Sequence, residues 1–235
     1  MIWRGKLATL VSLLLCCVMA RAQHGDFGAE LSATYGHRLW SGASFAFGEK
    51  VRLNSNCSQY SQSKSSVSIS QRLLHRQLDL YNLRWKIGGG YTFINRLNEG
   101  KHRQYYENQH RFMLQSTLSY NYGFWRASGR VRLQSTFRDE SRGSYRYNPK
   151  VVLRGRVTLG YVLPDKPWRF GAGAEYFYRA NDPKGSFVDE MRYSVETTRI
   201  IDGHQNLSLY LKYFHELQVA DPVRMIVVGL RYDFE

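Results

Sequence analysis

The stretch Trp168–Arg179, "WRFGAGAEYFYR", alternates with a period of two. Trp168, Phe170, Ala172, Ala174, Tyr176 and Tyr178 share one face. Arg169, Gly171, Gly173, Glu175, Phe177 and Arg179 share the other. Successive side chains of a strand point to opposite sides, so this is a β-strand with an apolar face and a charged, glycine-rich one. It spans twelve residues, longer than the usual soluble strand and long enough to cross a bilayer when tilted, which takes about 9–11.

The same pattern recurs outward from this segment. In 124–138, Trp125, Ala127, Gly129, Val131, Leu133 and Phe137 oppose Arg126, Ser128, Arg130, Arg132, Gln134 and Thr136. In 149–162, Leu153, Val157, Leu159 and Tyr161 oppose Arg154, Arg156 and Thr158. The last segment, "MIVVGLRYDFE" (Met225–Glu235), sets Ile226, Val228, Leu230, Tyr232 and Phe234 against Gly229, Arg231 and Asp233. Eleven segments follow the rule: 27–37, 44–55, 65–74, 82–95, 105–122, 124–138, 149–162, 168–180, 188–200, 205–217 and 224–234. Short links ("NYGFW", "PDKPW", "DGHQ") alternate with longer polar ones ("NCSQYSQSK", "NRLNEGKHRQ", "RDESRGSYRYN", "ANDPKGS").

A soluble β-sandwich also carries one apolar face per strand. Three features favour a membrane barrel instead. Aromatics cluster near strand ends, as Trp85, Tyr91, Phe93, Trp168, Tyr176 and Tyr178 do. Glycines favour the polar face of several strands. The final strand closes on Phe234, followed by Glu235. The expected fold is all-β, an antiparallel transmembrane barrel of about twelve strands, with ten as the alternative. Bacterial single-chain barrels have even strand counts, and Cys57–Asn82, where alternation is unclear, is the place to find the missing strand.

The start of the chain reads as an export signal over residues 1–22. Arg4 and Lys6 precede an apolar run, Leu7–Val18, and Ala20-Arg21-Ala22 fits a small-x-small cleavage site. Residues 23–235 then form one outer-membrane barrel domain. Without the signal only Cys57 of the three cysteines remains, so neither an internal disulfide nor a cysteine metal site is expected.

The sequence resembles a family called domain of unknown function 2490, small outer-membrane barrels of Gram-negative bacteria. The resemblance rests on "EKVRLN" (49–54), "GGGYTF" (88–93), "ENQHRF" (107–112), "RVRLQ" (130–134), "PWRFGAGAEYF" (167–177), "DEMRYSVET" (189–197) and "IVVGLRYDF" (226–234). It implies a location and a fold, and no activity.

The 33 Lys and Arg outnumber the 19 Asp and Glu. Such an excess suits nucleic acid or anionic surfaces if it lies outside. The alternation puts it inside. Lumen-lining candidates are Arg84, Lys86, Arg126, Arg130, Arg132, Arg154, Arg156, Arg169, Arg192 and Arg231, with Glu175 among them. Lys50, Arg52, Arg111, Arg179 and Lys212 share that face, with Glu30, Glu190, Glu196 and Asp233 as its other acids. Two readings remain open. The arginines line a porin-like lumen that prefers anions, or they pair with Glu175, Glu190, Glu196 and tyrosine hydroxyls and fill it. Partners expected are outer-membrane lipid, the barrel-insertion machinery and an anionic solute. Nucleic acid is not expected, and the barrel is read as a monomer.

No Gly-x-Ser-x-Gly elbow, phosphate loop, zinc or calcium pattern occurs, so no cofactor, metal or catalytic residue is assigned. His110 in "ENQHRF" is the best histidine for a role in hydrolysing or transferring acyl chains, and as a loop-edge residue it reads as structural or solvated. "GGG" at Gly88–Gly90 reads as a bend in the wall or as space in the lumen.

Overall fold

The computed structural model of the chain describes residues 26–40, 42–99, 104–142, 148–183, 185–217 and 224–235. The expected signal, 1–22, lies outside them. The described residues form eleven strands: β1 (Asp26–Trp40), β2 (Ala43–Asn54), β3 (Gln59–Leu73), β4 (Leu83–Glu99), β5 (Gln104–Tyr122), β6 (Trp125–Arg138), β7 (Lys150–Val162), β8 (Trp168–Arg179), β9 (Phe187–Ile200), β10 (Gln205–Glu216) and β11 (Arg224–Phe234). Each pairs antiparallel with its chain neighbours, and β1 closes the barrel on β11.

That closure is parallel, running from Asp26 opposite Met225 to Tyr35 opposite Phe234. It corrects the expected twelve (or ten) strands to eleven. An even count keeps both barrel ends on one rim, whereas an odd count must be closed by a parallel pair. The missing strand does not exist in Cys57–Asn82. There β3 takes Gln59–Leu73, and the chain then turns through a short helix at His75–Leu78 and a 3-10 turn at Asp79–Tyr81. Leu74 and Asn82, at φ 47° and 56°, reverse the backbone on either side. The loop read at Asn56–Lys64 is likewise mostly strand, and the turn ahead of it is made at Ser55, Asn56 and Cys57, all with positive φ.

Strand lengths run from 11 residues in β11 to 19 in β5, enough for a tilted crossing. Leu31, Leu114, Val157 and Leu209 stand on the outer face at 61%, 66%, 67% and 54% exposure. An apolar surface this continuous does not suit water. At the short-turn rim the outer face turns aromatic. Tyr120 stacks with Tyr122, and Trp125 packs on Tyr161 with ring centroids 4.9 Å apart. Rings that are apolar on one side and polar at the tip suit the height of lipid headgroups. The inner face is polar and charged, and β-strand alternation alone delivers this division.

Candidate functional site: the barrel interior

The interior has two parts, divided by where the side chains are large. In the half nearer the longer loops, one carboxylate gathers three strands. Glu30 of β1 accepts hydrogen bonds from Lys50 Nζ at 3.0 Å, Arg52 Nη2 at 2.6 Å and Lys212 Nζ at 2.8 Å. The Tyr210 hydroxyl donates to it as well. Its side chain has no solvent exposure. A buried carboxylate is tolerable only when paired and hydrogen-bonded, and this one is fully saturated. The register explains the convergence: Glu30 faces Arg52 on β2 and Gly229 on β11, and Tyr210 of β10 reaches across Gly229.

From this cluster a belt of alternating cations and rings runs round to β7. The Arg52 guanidinium lies 4.8 Å from the Phe214 ring centroid, and Arg192 lies 4.5 Å from Phe214 and 4.0 Å from Phe177. Arg154 is 4.3 Å from Phe177 on its way to Glu175, whose Oε1 accepts from its Nη2 at 2.8 Å. Arg130 also reaches Glu175, at 3.2 Å, and Glu190 holds Arg192. Guanidinium over an aromatic face is favourable, more so away from water. Phe177, Tyr210 and Phe214 are all buried.

The short-turn half differs because its inward residues are small. Ser128, Thr158, Gly160, Gly171 and Ser194 line a chamber of about 410 Å³. Around it stand Arg84, Lys86, Arg126, Arg130, Arg156, Arg169 and Arg231, with Glu196 the acid among its lining residues. Glu196 is already engaged by Arg231 Nη2 at 3.3 Å, and Arg231 also holds Asp233 at 2.9 Å. Arg84, Lys86, Arg126, Arg156 and Arg169 form no ion pair or hydrogen bond among the described residues. Arg169 Nε is shielded from solvent without a partner. Arg130 stands directly opposite Arg156, and like charges placed so repel.

All the sequence-derived candidates therefore point inward, but to two places. Arg84, Lys86, Arg126, Arg130, Arg156, Arg169 and Arg231 meet at the chamber. Arg154, Glu175 and Arg192 belong to the belt, and Arg132, opposite Arg154, donates from Nη2 to Gln115 Oε1 at 2.6 Å. Alternation places Phe177 and Tyr210 on the polar face, but the sequence assigns no role to the aromatic members of the interior, Phe177, Tyr210 and Phe214. Their signal was present: each is an aromatic out of phase, on the polar side of "AEYFY" and "LYLKYF". Lys64 also faces inward, next to Lys50, on the part of β3 read as loop. His110 stands on the outer face, its Nδ1 2.7 Å from the Tyr91 hydroxyl.

The chain belongs to the family described as "Protein of unknown function (DUF2490)", whose profile matches residues 37–232. No curated protein sequence matches it significantly. Among solved structures it is similar to the outer-membrane expressed OmpT of Vibrio cholerae, at 12% identity and a TM-score of 0.42. That match covers 74% of this chain, which spans only 54% of the Vibrio protein. It is also similar to the translocator domain of the autotransporter NalP from Neisseria meningitidis, at 14% identity and a TM-score of 0.39, over 80% of this chain and 73% of that one.

Proposed function

We propose that the chain is a monomeric outer-membrane β-barrel of a Gram-negative bacterium, exported by its N-terminal signal, whose lumen is closed to ion flow in this form. The observation that carries the reading is the pairing of a closed wall, apolar outside, with the ion-paired and ring-stacked belt from Glu30 to Glu175 inside. Burying lysines and arginines inward avoids about 2–4 kcal/mol for each that would otherwise face lipid near the midplane. The belt supports closure because its rings and ion pairs hold one another and leave no free acid to draw water through.

The excess of bases in the chamber favours a second reading, a small anion-preferring channel that conducts once the belt moves. Planar-bilayer recording of the purified full chain separates the two. The closed reading expects no steady conductance from the native protein, and anion-preferring conductance from Phe177→Ala with Phe214→Ala. Steady conductance from the native protein overturns closure. In that case Arg132→Glu with Arg154→Glu should reverse the ion preference. The proposed role involves no turnover, which a phospholipid or acyl-ester hydrolysis assay with His110→Ala as control tests.

A further inference from the structure

The chamber at the short-turn end is unlike the rest of the interior. Elsewhere most inward cations meet carboxylates or neutral acceptors, as Lys50, Arg52 and Lys212 meet Glu30 and Arg132 meets Gln115, with Lys64 beside Lys50 the exception. Here five cations gather in one place with no ion pair or hydrogen bond among the described residues. The space they face exists because small residues stand where larger ones would fill it. Packing alone gives no reason to keep a void ringed by repelling guanidinium groups. An anion placed between them removes the repulsion and supplies the acceptors that the unpaired N–H groups lack.

The geometry also sets the kind of anion. On the register, Arg130 and Arg156 face each other across β6 and β7. Arg126, opposite Gly160, and Arg169, opposite Val162, lie further toward the short-turn rim. Two groups of arginine separated along the barrel suit a ligand with two anionic groups rather than one. Guanidinium forks fit planar carboxylate and tetrahedral phosphate alike. A volume of about 410 Å³ falls within the range of small-ligand sites.

We propose that this chamber binds a compact polyanion carrying two or more phosphate or carboxylate groups, entering from the short-turn rim. The proposal deepens the barrel reading above but needs no conduction. Its test is made in detergent solution, so its failure is separate from a failure of the closed-lumen reading.

The experiment is calorimetric titration of the folded, detergent-solubilised full chain with pyrophosphate, citrate and acetate. Pyrophosphate and citrate should bind at least tenfold more tightly than acetate, and pyrophosphate against citrate distinguishes a phosphate ligand from a carboxylate one. Arg126→Gln with Arg169→Gln should weaken the polyanions at least tenfold. Arg199→Gln with Arg224→Gln, which removes equal charge from exposed positions, should leave them unchanged. Gly160→Leu keeps every charge and fills the space; an added Cβ there meets its nearest atom only at 3.5 Å, so the side chain leaves the wall without a backbone clash. It should abolish binding. Equal affinity for acetate, equal loss in the exposed-charge pair, or full binding by the folded Gly160→Leu variant would each overturn the site.

Discussion

The phenol ring of Tyr210 occupies the place where a side chain on Gly229 would stand. A Cβ built on Gly229 would lie 2.2 Å from Tyr210 Cζ. The absence of that one carbon lets a residue of β10 pass over β11 and donate to Glu30 on β1. Gly229→Val should therefore expel the ring and break the bond. The loss expected is about 1–3 kcal/mol from overpacking, plus a further 1–3 kcal/mol if Glu30 loses a donor. In a Tyr210→Ala background the same substitution should cost much less. Thermal unfolding followed by heat-modifiable gel migration measures both, and equal losses in the two backgrounds would refute the coupling.

Glu30 holds three cations that would otherwise face one another. Glu30→Gln keeps the shape and removes the charge, leaving Lys50, Arg52 and Lys212 without their shared counter-ion. Breaking a buried ion pair from one side costs about 3–5 kcal/mol. Adding Lys212→Met should recover part of the loss, since it removes one of the stranded charges. Denaturant midpoints in detergent read the effect; a Glu30→Gln variant as stable as the native chain would mean that water, not the carboxylate, solvates these cations.

Three consecutive glycines should respond differently to the same change. Gly88 and Gly90 point inward, and a Cβ on either would lie 2.6 Å from a carbonyl oxygen of β3, that of Ile69 or Val67. Backbone cannot yield as a side chain can. Gly89 points outward, where its Cβ would meet Leu114 Cδ2 at 3.4 Å, an ordinary contact. Gly88→Ala and Gly90→Ala should each lower the yield of folded barrel, and Gly89→Ala should fold as the native chain does. A uniform response across the three positions contradicts this account of the close approach between β3 and β4.

Cys57, the free thiol of the β2–β3 turn, provides a pH-dependent readout. Its burial, and secondarily the negative charge of Asp26, push its pKa up. The thiolate is the reactive form, so less of it is present at neutral pH than for an ordinary cysteine. Labelling by a membrane-impermeant maleimide should be slower than for an exposed thiol at pH 7 and should accelerate as the pH rises. Asp26→Asn should bring the acceleration to lower pH. A rate matching free cysteine across the titration would remove the basis for this expectation.

Much of the fold was legible because strand alternation is a local property. Ten of the eleven segments match strands to within a few residues, and the closing segment, 224–234, matches β11 at both ends. The exception, β3, shows the physical reason for failure. A register shift at Ser61 breaks the alternation after Tyr60, and Ser63 and Ser65 follow on the outer face before Val67 and Ile69, so no continuous apolar signal marks its first half. The strand count went astray because it leaned on a rule about rims rather than on the segments themselves. Inward orientation of the arginines was likewise legible. Which of them pair was not, since that depends on register: Glu30 finds partners 20 and 182 residues away, on β2 and β10. The chamber needed the small residues of β6 to β9 to be brought together, and no single segment shows a void.

The eleven strands among the described residues have a consequence for orientation. Asp26 and Met225 lie side by side at the rim of the longer loops, while Phe234 ends at the rim of the short turns. On the outer-membrane reading proposed above, an epitope inserted beside Asp26 and another following Phe234 would be read from opposite sides of the membrane, one by antibody on intact bacteria and the other only after that membrane is breached. In a barrel of ten or twelve strands, the two would report together.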